Sequence, residues 1–330
     1  MHLDRRRFLG AGAAALLRGA AAAEKPHRID IHHHLFPPTY NTAIVALGQP
    51  ASPAWTPARS IDEMDKSGIA TSVVSLSPPA VAFPDVPLAR RIAREANEYA
   101  AKMAKDYPGR FGLFAAVPLT DIDGSLREIE YALDMLKADG IGVMTSYGDK
   151  WLGDAGFAPL WEELNRRKAV VYTHPHSPDC CVNLKVGIPA TDIEWATDTT
   201  RTVASLLFNG TAARYPDIHW IFSHGGGTTP FLVSRFVYEE KTMKEREKRL
   251  PNGLMYELKK FYYDTAQANH PGALAALLKL VTPAQILYGT DYPYRTGAEV
   301  NAGLKAQGFA PKDLRAIERD NALRLLPSLR

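Results

Sequence analysis

Short runs of β-branched and aromatic residues recur along this chain. Most are separated by longer segments with apolar residues at helical spacing. The runs fall at Arg28–His34, Ala70–Leu76, Phe111–Val117, Gly140–Thr145, Val170–His174, Ile218–Ser223, Phe261–Asp264 and Ile286–Thr290. Helical spacing is clear over Leu88–Lys105, Ser125–Lys137, Phe157–Arg167 and Thr199–Tyr215. Strands joined through helices pair in parallel, and eight such units favour a closed (β/α)8 barrel of the TIM type over an open sheet. The 330 residues, 46% of them hydrophobic, suffice for that core without a domain boundary. Residues 24–330 are therefore read as a single barrel domain, ending in one or two helices over Pro311–Arg330.

Residues 1–23 are read separately, as a signal peptide of the twin-arginine type. Arg5-Arg6-Arg7-Phe8-Leu9 matches the twin-arginine pattern, an Ala/Leu stretch from Ala11 to Leu17 follows, and Ala21-Ala22-Ala23 suits cleavage. This predicts export to the periplasm. Arg5, Arg6, Arg7 and Arg18 against Asp4 account for the whole net charge of +3, leaving the remainder neutral. A neutral domain without a basic stripe argues against a nucleic-acid partner. No run reaches the ~20 apolar residues a membrane span needs. The two cysteines, Cys180 and Cys181, are adjacent, which excludes a disulfide scaffold or a Cys-rich zinc site. The segment Lys241–Arg249 mixes Glu with Lys and Arg and reads as a solvated helix face.

The chemistry-bearing residues cluster at the C-terminal ends of the predicted strands, the face on which barrel enzymes build their sites. The first strand ends His32-His33-His34. Residues two apart share a strand face, so His32 and His34 can aim into the barrel mouth and hold a divalent metal, while His33 faces the helices. The fifth strand ends in His174, the natural third ligand; His176, past a proline, is read as a loop residue. The sixth ends in His224 before Gly225-Gly226-Gly227, where close backbone approach is possible. His224 is an acid–base group or a further ligand, and His219, at the other end of that strand, is structural. The eighth strand runs into Asp291, which can ligate a metal, move protons, or do both.

The fourth strand, Gly140–Thr145, offers no Lys or Glu to bridge two metals, so one divalent ion is expected. No GxSxG elbow or papain-like cysteine context is present. The loops Phe36–Arg59 and Pro175–Thr191 are long enough to suggest service to a site. Arg59 could pair with a substrate carboxylate. Phe36, Trp55, Tyr147, Trp151, Trp195 and Tyr292 lie near the predicted mouth and suit a flat acid.

Taken in order, His32-x-His34, Thr173-His174-Pro175, Ser223-His224-Gly225-Gly226-Gly227 and Gly289-Thr290-Asp291-Tyr292-Pro293 resemble the amidohydrolase superfamily, over about Arg28 to Thr296. The branch they are similar to is that of aminocarboxymuconate-semialdehyde decarboxylase. Ser75–Pro79, Pro108–Gly112 and Pro178–Cys181 look closer to 6-methylsalicylate decarboxylases. The resemblance implies non-oxidative loss of CO2 from a small unsaturated or aromatic carboxylic acid, such as an ortho-hydroxybenzoate. It implies that His32, His34, His174 and Asp291 hold the metal, with His224 beside it, and that the protein is a homodimer. Relatives acting on hydroxybenzoates often carry Glu in place of the first histidine and use manganese, so His32 leans toward zinc, with manganese the alternative. Asp291 is then the expected proton donor, and His224 tunes its charge or activates a water. The rival reading is hydrolysis of an amide, ester or lactone, which the same ligands support; the resemblance favours decarboxylation.

Overall fold

The computed structural model describes residues 26–330; the leader expected at residues 1–23 lies outside them. The barrel strands are β1 (Arg28–Leu35), β2 (Ile69–Leu76), β3 (Phe111–Ala116) and β4 (Gly140–Met144). A small antiparallel hairpin follows, β5 (Ser146–Tyr147) and β6 (Lys150–Trp151). The barrel continues with β7 (Val170–His174), β8 (His219–Phe222), β9 (Tyr262–Asp264) and β10 (Ile286–Leu287). Each of the eight barrel strands pairs in parallel with the next in chain order. The ring is completed by Ile31 N donating to Tyr288 O at 3.0 Å and His34 N donating to Tyr292 O at 2.8 Å. The sequence expectation of an eight-stranded parallel barrel holds.

The interior is divided by height. Its lower part is packed by Ile29, Ile31, Val73, Phe114, Tyr172, Ile221 and Leu287, with Ala322, Leu325 and Leu326 of the C-terminal segment joining the same cluster. Tyr288 N donates to Ile317 O at 3.0 Å and Asn321 Nδ2 donates to Ile286 O at 2.8 Å, so the terminal helices are anchored to the last strand. A floor this full leaves only the opposite, C-terminal face of the strands for chemistry.

Around the outside, helix starts follow local capping rules. Thr56 accepts from Arg59 N at 3.2 Å ahead of the helix Pro57–Ser67, which ends at Gly68 with φ 69°. Asp85 accepts from Leu88 N at 2.9 Å ahead of Val86–Asp106, whose Ala89, Ile92, Ala93, Ala96 and Ala100 form the buried stripe.

Two expected loops differ. Phe36–Arg59 contains a helix, Pro38–Ala46, that buries Tyr40, Ala43 and Ile44. No side chain caps it, and the prolines around it mask its period. The loop after β7 is irregular apart from a turn at Asp179–Cys181, and the next helix begins at Ala190, earlier than the periodicity from Thr199 indicates. Only Arg246–Arg249 of the basic segment is helical, and its side chains pair with Glu240 and Glu245. No helix among the described residues is long and apolar enough to cross a membrane.

Candidate active site

β1 reaches the mouth with its parity changed. Asp30 pairs with Ser72 but His33 pairs with Val74, so three steps on β1 match two on β2. Ile29 and Ile31 sit in the inner core below this bulge. Above it, His32 meets the ring of Tyr172 at 5.4 Å inside the barrel, while His33 turns outward to stack on Tyr292. The extra residue is what lets His32 and His34 face inward after two isoleucines that already do. His33 is held by Asp30 Oδ2 at 3.2 Å and Ser60 Oγ at 2.9 Å, a structural role as expected from its strand face.

His32, His34, His174 and Asp291 are all buried, and one ligand atom from each lies within 4.8 Å of the others. Asp291 is the focus. Its Oδ1 is 3.0 Å from His34 Nε2 and 3.2 Å from His32 Nε2, and its Oδ2 is 3.5 Å from His224 Nε2. His224 is 11% exposed at its side chain where His32 and His34 are sealed, so it forms the solvent-facing edge of the cluster.

The donor set fits a divalent cation. His32 Nδ1 is engaged by Asp264 Oδ2 at 2.8 Å and His174 Nδ1 by Pro175 O at 2.8 Å. Both partners are acceptors, so with an ion bound the ring protons would sit on Nδ1 and the Nε2 lone pairs would face the cluster. Those two Nε2 atoms are buried without a hydrogen-bond partner. Buried polar atoms left unsatisfied are costly, and a cation would satisfy both.

The electrostatics agree. Burial alone would depress the His32 imidazolium, but the Asp264 and Asp291 carboxylates overrule it and push its pKa up to about 10. Burial would raise the Asp291 pKa, yet the charge on His32 and the close approach of the His224, His32 and His34 imidazoles hold it well below the usual carboxylate range. His174 is driven well below the usual imidazole range by burial, reinforced by His34, His32 and His224. The cluster calls for positive charge at its centre, which one divalent ion would supply.

Two glycines make the packing possible. A Cβ on Gly227, at φ 64°, would lie 2.0 Å from Ala196 O. One on Gly289 would lie 2.9 Å from His32 Cβ and 3.1 Å from Asp264 Cβ. His224 (φ 53°), Gln267 (φ 50°) and Asp291 (φ 69°) also adopt left-handed backbone, local strain at points where the chain delivers side chains to the cluster.

Sequence reasoning missed Asp264 and Gln267. Asp264 accepts from His32 through one oxygen and from His224 N (2.8 Å) and Ala266 N (3.0 Å) through the other, linking two of the histidines. Gln267 Nε2 donates to Asp291 Oδ2. Asp264 carries the same signal as the residues that were found, since it ends a strand. Asp264→Asn is expected to weaken metal affinity by about 10–100-fold, the usual effect of losing a ligand's outer partner. A competitive metal titration that returned the wild-type constant would remove Asp264 from the site.

The remaining candidates separate. The Trp195 ring is 5.6 Å from His174, and Phe36 is 6.5 Å from His34. Trp55 packs at a tilt behind Phe36, Tyr292 stacks on the outward His33, and Trp151 Nε1 donates to Asp198. Tyr147 is buried, accepting from Met144 N at 2.9 Å. Tyr294, not anticipated, places its ring 5.7 Å from His34. Arg59 is exposed, donating to Ala54 O at 2.7 Å, and is not brought to the cluster. His176 bonds Ser146, and His219 is exposed at the start of β8.

Comparison with known proteins agrees with this geometry. The amidohydrolase family profile matches residues 29–328. A decarboxylase of Aspergillus niger, yanB, is 36% identical over 91% of this chain and 87% of its own length. A 6-methylsalicylic acid decarboxylase of Penicillium expansum is 33% identical over 92% of this chain and 97% of its own. Among solved structures, a dihydroxybenzoic acid decarboxylase from Polaromonas sp. JS666, with bound manganese and the inhibitor 2-nitroresorcinol, superposes with a TM-score of 0.79. It is 21% identical, covering 92% of this chain and 98% of that one, a likeness of fold. With its profile match, its barrel and its relatives, this chain belongs to the amidohydrolase family.

Proposed function

We propose that this protein is a metal-dependent carboxy-lyase that removes CO2 without oxidation from a small aromatic acid, an ortho-hydroxybenzoate such as 6-methylsalicylate. The observation that carries the reading is the convergence of three histidines on Asp291 in a barrel whose relatives, at 33–36% identity, are decarboxylases. His32, His34, His174 and Asp291 would hold the ion. Three nitrogen donors and one carboxylate suit zinc first, with manganese the alternative.

Direct loss of CO2 from a benzoate leaves an aryl carbanion that the ring cannot delocalise. A bound divalent ion supplies Lewis acidity toward the carboxylate and its neighbouring oxygen. Protonation at the carboxyl-bearing carbon then gives a dienone-like species. Its C–C bond breaks, CO2 departs, and the electron pair restores the ring. On this reading Asp291 delivers that proton. Because its carboxyl is held well below the usual range, it does not keep a proton at rest, so the proton must arrive as it is used. His224, next to Asp291 Oδ2 and partly exposed, is the route from solvent. Phe36, Trp195 and Tyr294 supply flat walls beside the ligands.

The test is CO2 release with the accompanying ultraviolet change, using zinc- and manganese-loaded protein with salicylate, 6-methylsalicylate and 2,6-dihydroxybenzoate. Release from one of these acids is expected. Silence across the panel, with cleavage of an ester or lactone in a parallel assay, would move the protein to the hydrolase reading. Two further expectations travel with this one. The twin-arginine leader directs the protein to the periplasm, checked by fractionation and the N-terminal sequence of the exported form. A homodimer is expected, and a monomer mass by sedimentation would refute it.

A further inference from the structure

The adjacent cysteines take no part in the cluster around Asp291. Cys180 is exposed and Cys181 buried, in the turn Asp179–Cys181 of the loop that follows β7. Their sulfurs are 2.9 Å apart, within about 1 Å of a covalent S–S bond of about 2.05 Å. Arg201 Nη2 donates to Cys181 Sγ at 3.5 Å, while its Nη1 is 3.9 Å from Oδ1 of the buried Asp198. A guanidinium at that distance favours a thiolate. The same loop bears on the mouth. Ser177 Oγ accepts from Trp195 Nε1 at 3.2 Å, and the Trp195 ring stands 5.6 Å from His174. Trp195 and Arg201 share one helix, Ala190–Phe208. The loop is thus tied to that helix at two points, Ser177 and Cys181.

We infer that Cys180 and Cys181 are a reversible dithiol–disulfide couple, oxidised by exchange with a small-molecule disulfide, and that closing it displaces the Trp195 wall of the mouth. The exposed Cys180 thiolate attacks one sulfur of the oxidant RSSR, whose S–S bond breaks. A mixed disulfide forms on Cys180 and the first RS⁻ leaves. The Cys181 thiolate then attacks the Cys180 sulfur and expels the second RS⁻. The two thiol protons end on the two RSH released, and RSSR has gained the two electrons the cysteines lost. The hydrogen bond with Cys180 and burial push the Cys181 thiol up to about 11. That hydrogen bond is lost once Cys180 carries the mixed disulfide, and Arg201 then favours the anion that resolves it. A bridge across one peptide joins Cα atoms about 3.8 Å apart, below the usual ~4.4–6.8 Å, so it is strained and easily reduced. Such a bridge is no scaffold, and it suits a switch. Closing it draws Cys181 Sγ off Arg201 and tightens the turn beside Ser177, which holds Trp195.

The experiment exposes the full metal-loaded chain to glutathione disulfide, then counts titratable thiols after unfolding and measures the intact mass of the same sample. Both thiols are expected to disappear, leaving a single chain lighter by two hydrogens, without adduct, and dithiothreitol should restore them. Cys181→Ser should stop at a glutathione adduct on Cys180. Cys180→Ser should barely react, because its remaining thiol is buried. Oxidation should shift the tryptophan emission of the wild type and leave that of Trp195→Phe unmoved. A stable glutathione adduct on the wild type, a bridge between two chains, or two thiols that survive excess oxidant would overturn the couple. A bridge that forms with no shift in emission, or with the same shift in Trp195→Phe, would overturn its link to the mouth.

Discussion

Asp291→Ala is expected to reduce CO2 release by at least about a thousandfold. On the proposed reading the substitution removes one metal ligand and the proton donor together, and loss of general acid–base catalysis alone typically costs about 10²–10⁴-fold. Three histidine nitrogens face this one carboxylate, at 3.0 Å from His34, 3.2 Å from His32 and 3.5 Å from His224, so no neighbour can take its place. Metal content must be measured on the same preparation. A variant that keeps its ion and still turns over at the wild-type rate refutes the donor role. One that loses both ion and activity leaves Asp291 a ligand, and Asp291→Glu at matched metal content then separates ligation from proton delivery.

Chelation should have the second large effect. Dialysis against a strong chelator is expected to abolish turnover and to lower the midpoint of thermal unfolding, with both recovered on adding zinc or manganese. An ion that binds only the folded state stabilises it by about 2.7 kcal/mol at a hundredfold excess over Kd. In this chain the gain has an identifiable source. His32 Nε2 and His174 Nε2 are buried without partners, and Asp291 and Asp264 are buried carboxylates. Full activity in chelated protein whose metal content had been driven to zero would end the metal-dependent reading altogether.

The strand and site positions were legible for one reason: a barrel strand announces itself by composition, and the chemistry gathers at or just beyond its C-terminal end, where His174 closes β7 and His224 and Asp291 follow β8 and β10. β7 spans Val170–His174 as expected; β1, β2, β3, β4 and β9 differ from the expected runs by one residue at one end, β8 is shorter by one at each end, and β10 stops at Leu287, three residues short of Thr290. The same logic was available for Asp264 and went unused, because a carboxylate that bonds a ligand has no sequence mark separating it from a turn aspartate. Long-range pairings are illegible for a related reason. That Asp264 meets His32, and Gln267 meets Asp291, depends on how the ring closes. The helix Pro38–Ala46 was hidden because its start has no capping side chain and its burial of Tyr40, Ala43 and Ile44 is decided by tertiary contacts. The bulge in β1 left no trace either, since strict alternation and alternation with one residue inserted both place His32 and His34 on one face.

That inserted residue has a consequence for how the molecule can change. It works as a frame shift between two reading frames laid end to end on a single strand. In the lower frame, Ile29 and Ile31 answer to the packed interior; in the upper, His32 and His34 answer to the cluster around Asp291. Substitutions that repack the base need not re-aim the ligands, and changes at the mouth need not be accommodated by the floor. Deleting one residue between Asp30 and His33 would merge the frames, and the chain would have to choose between a filled barrel and a metal centre.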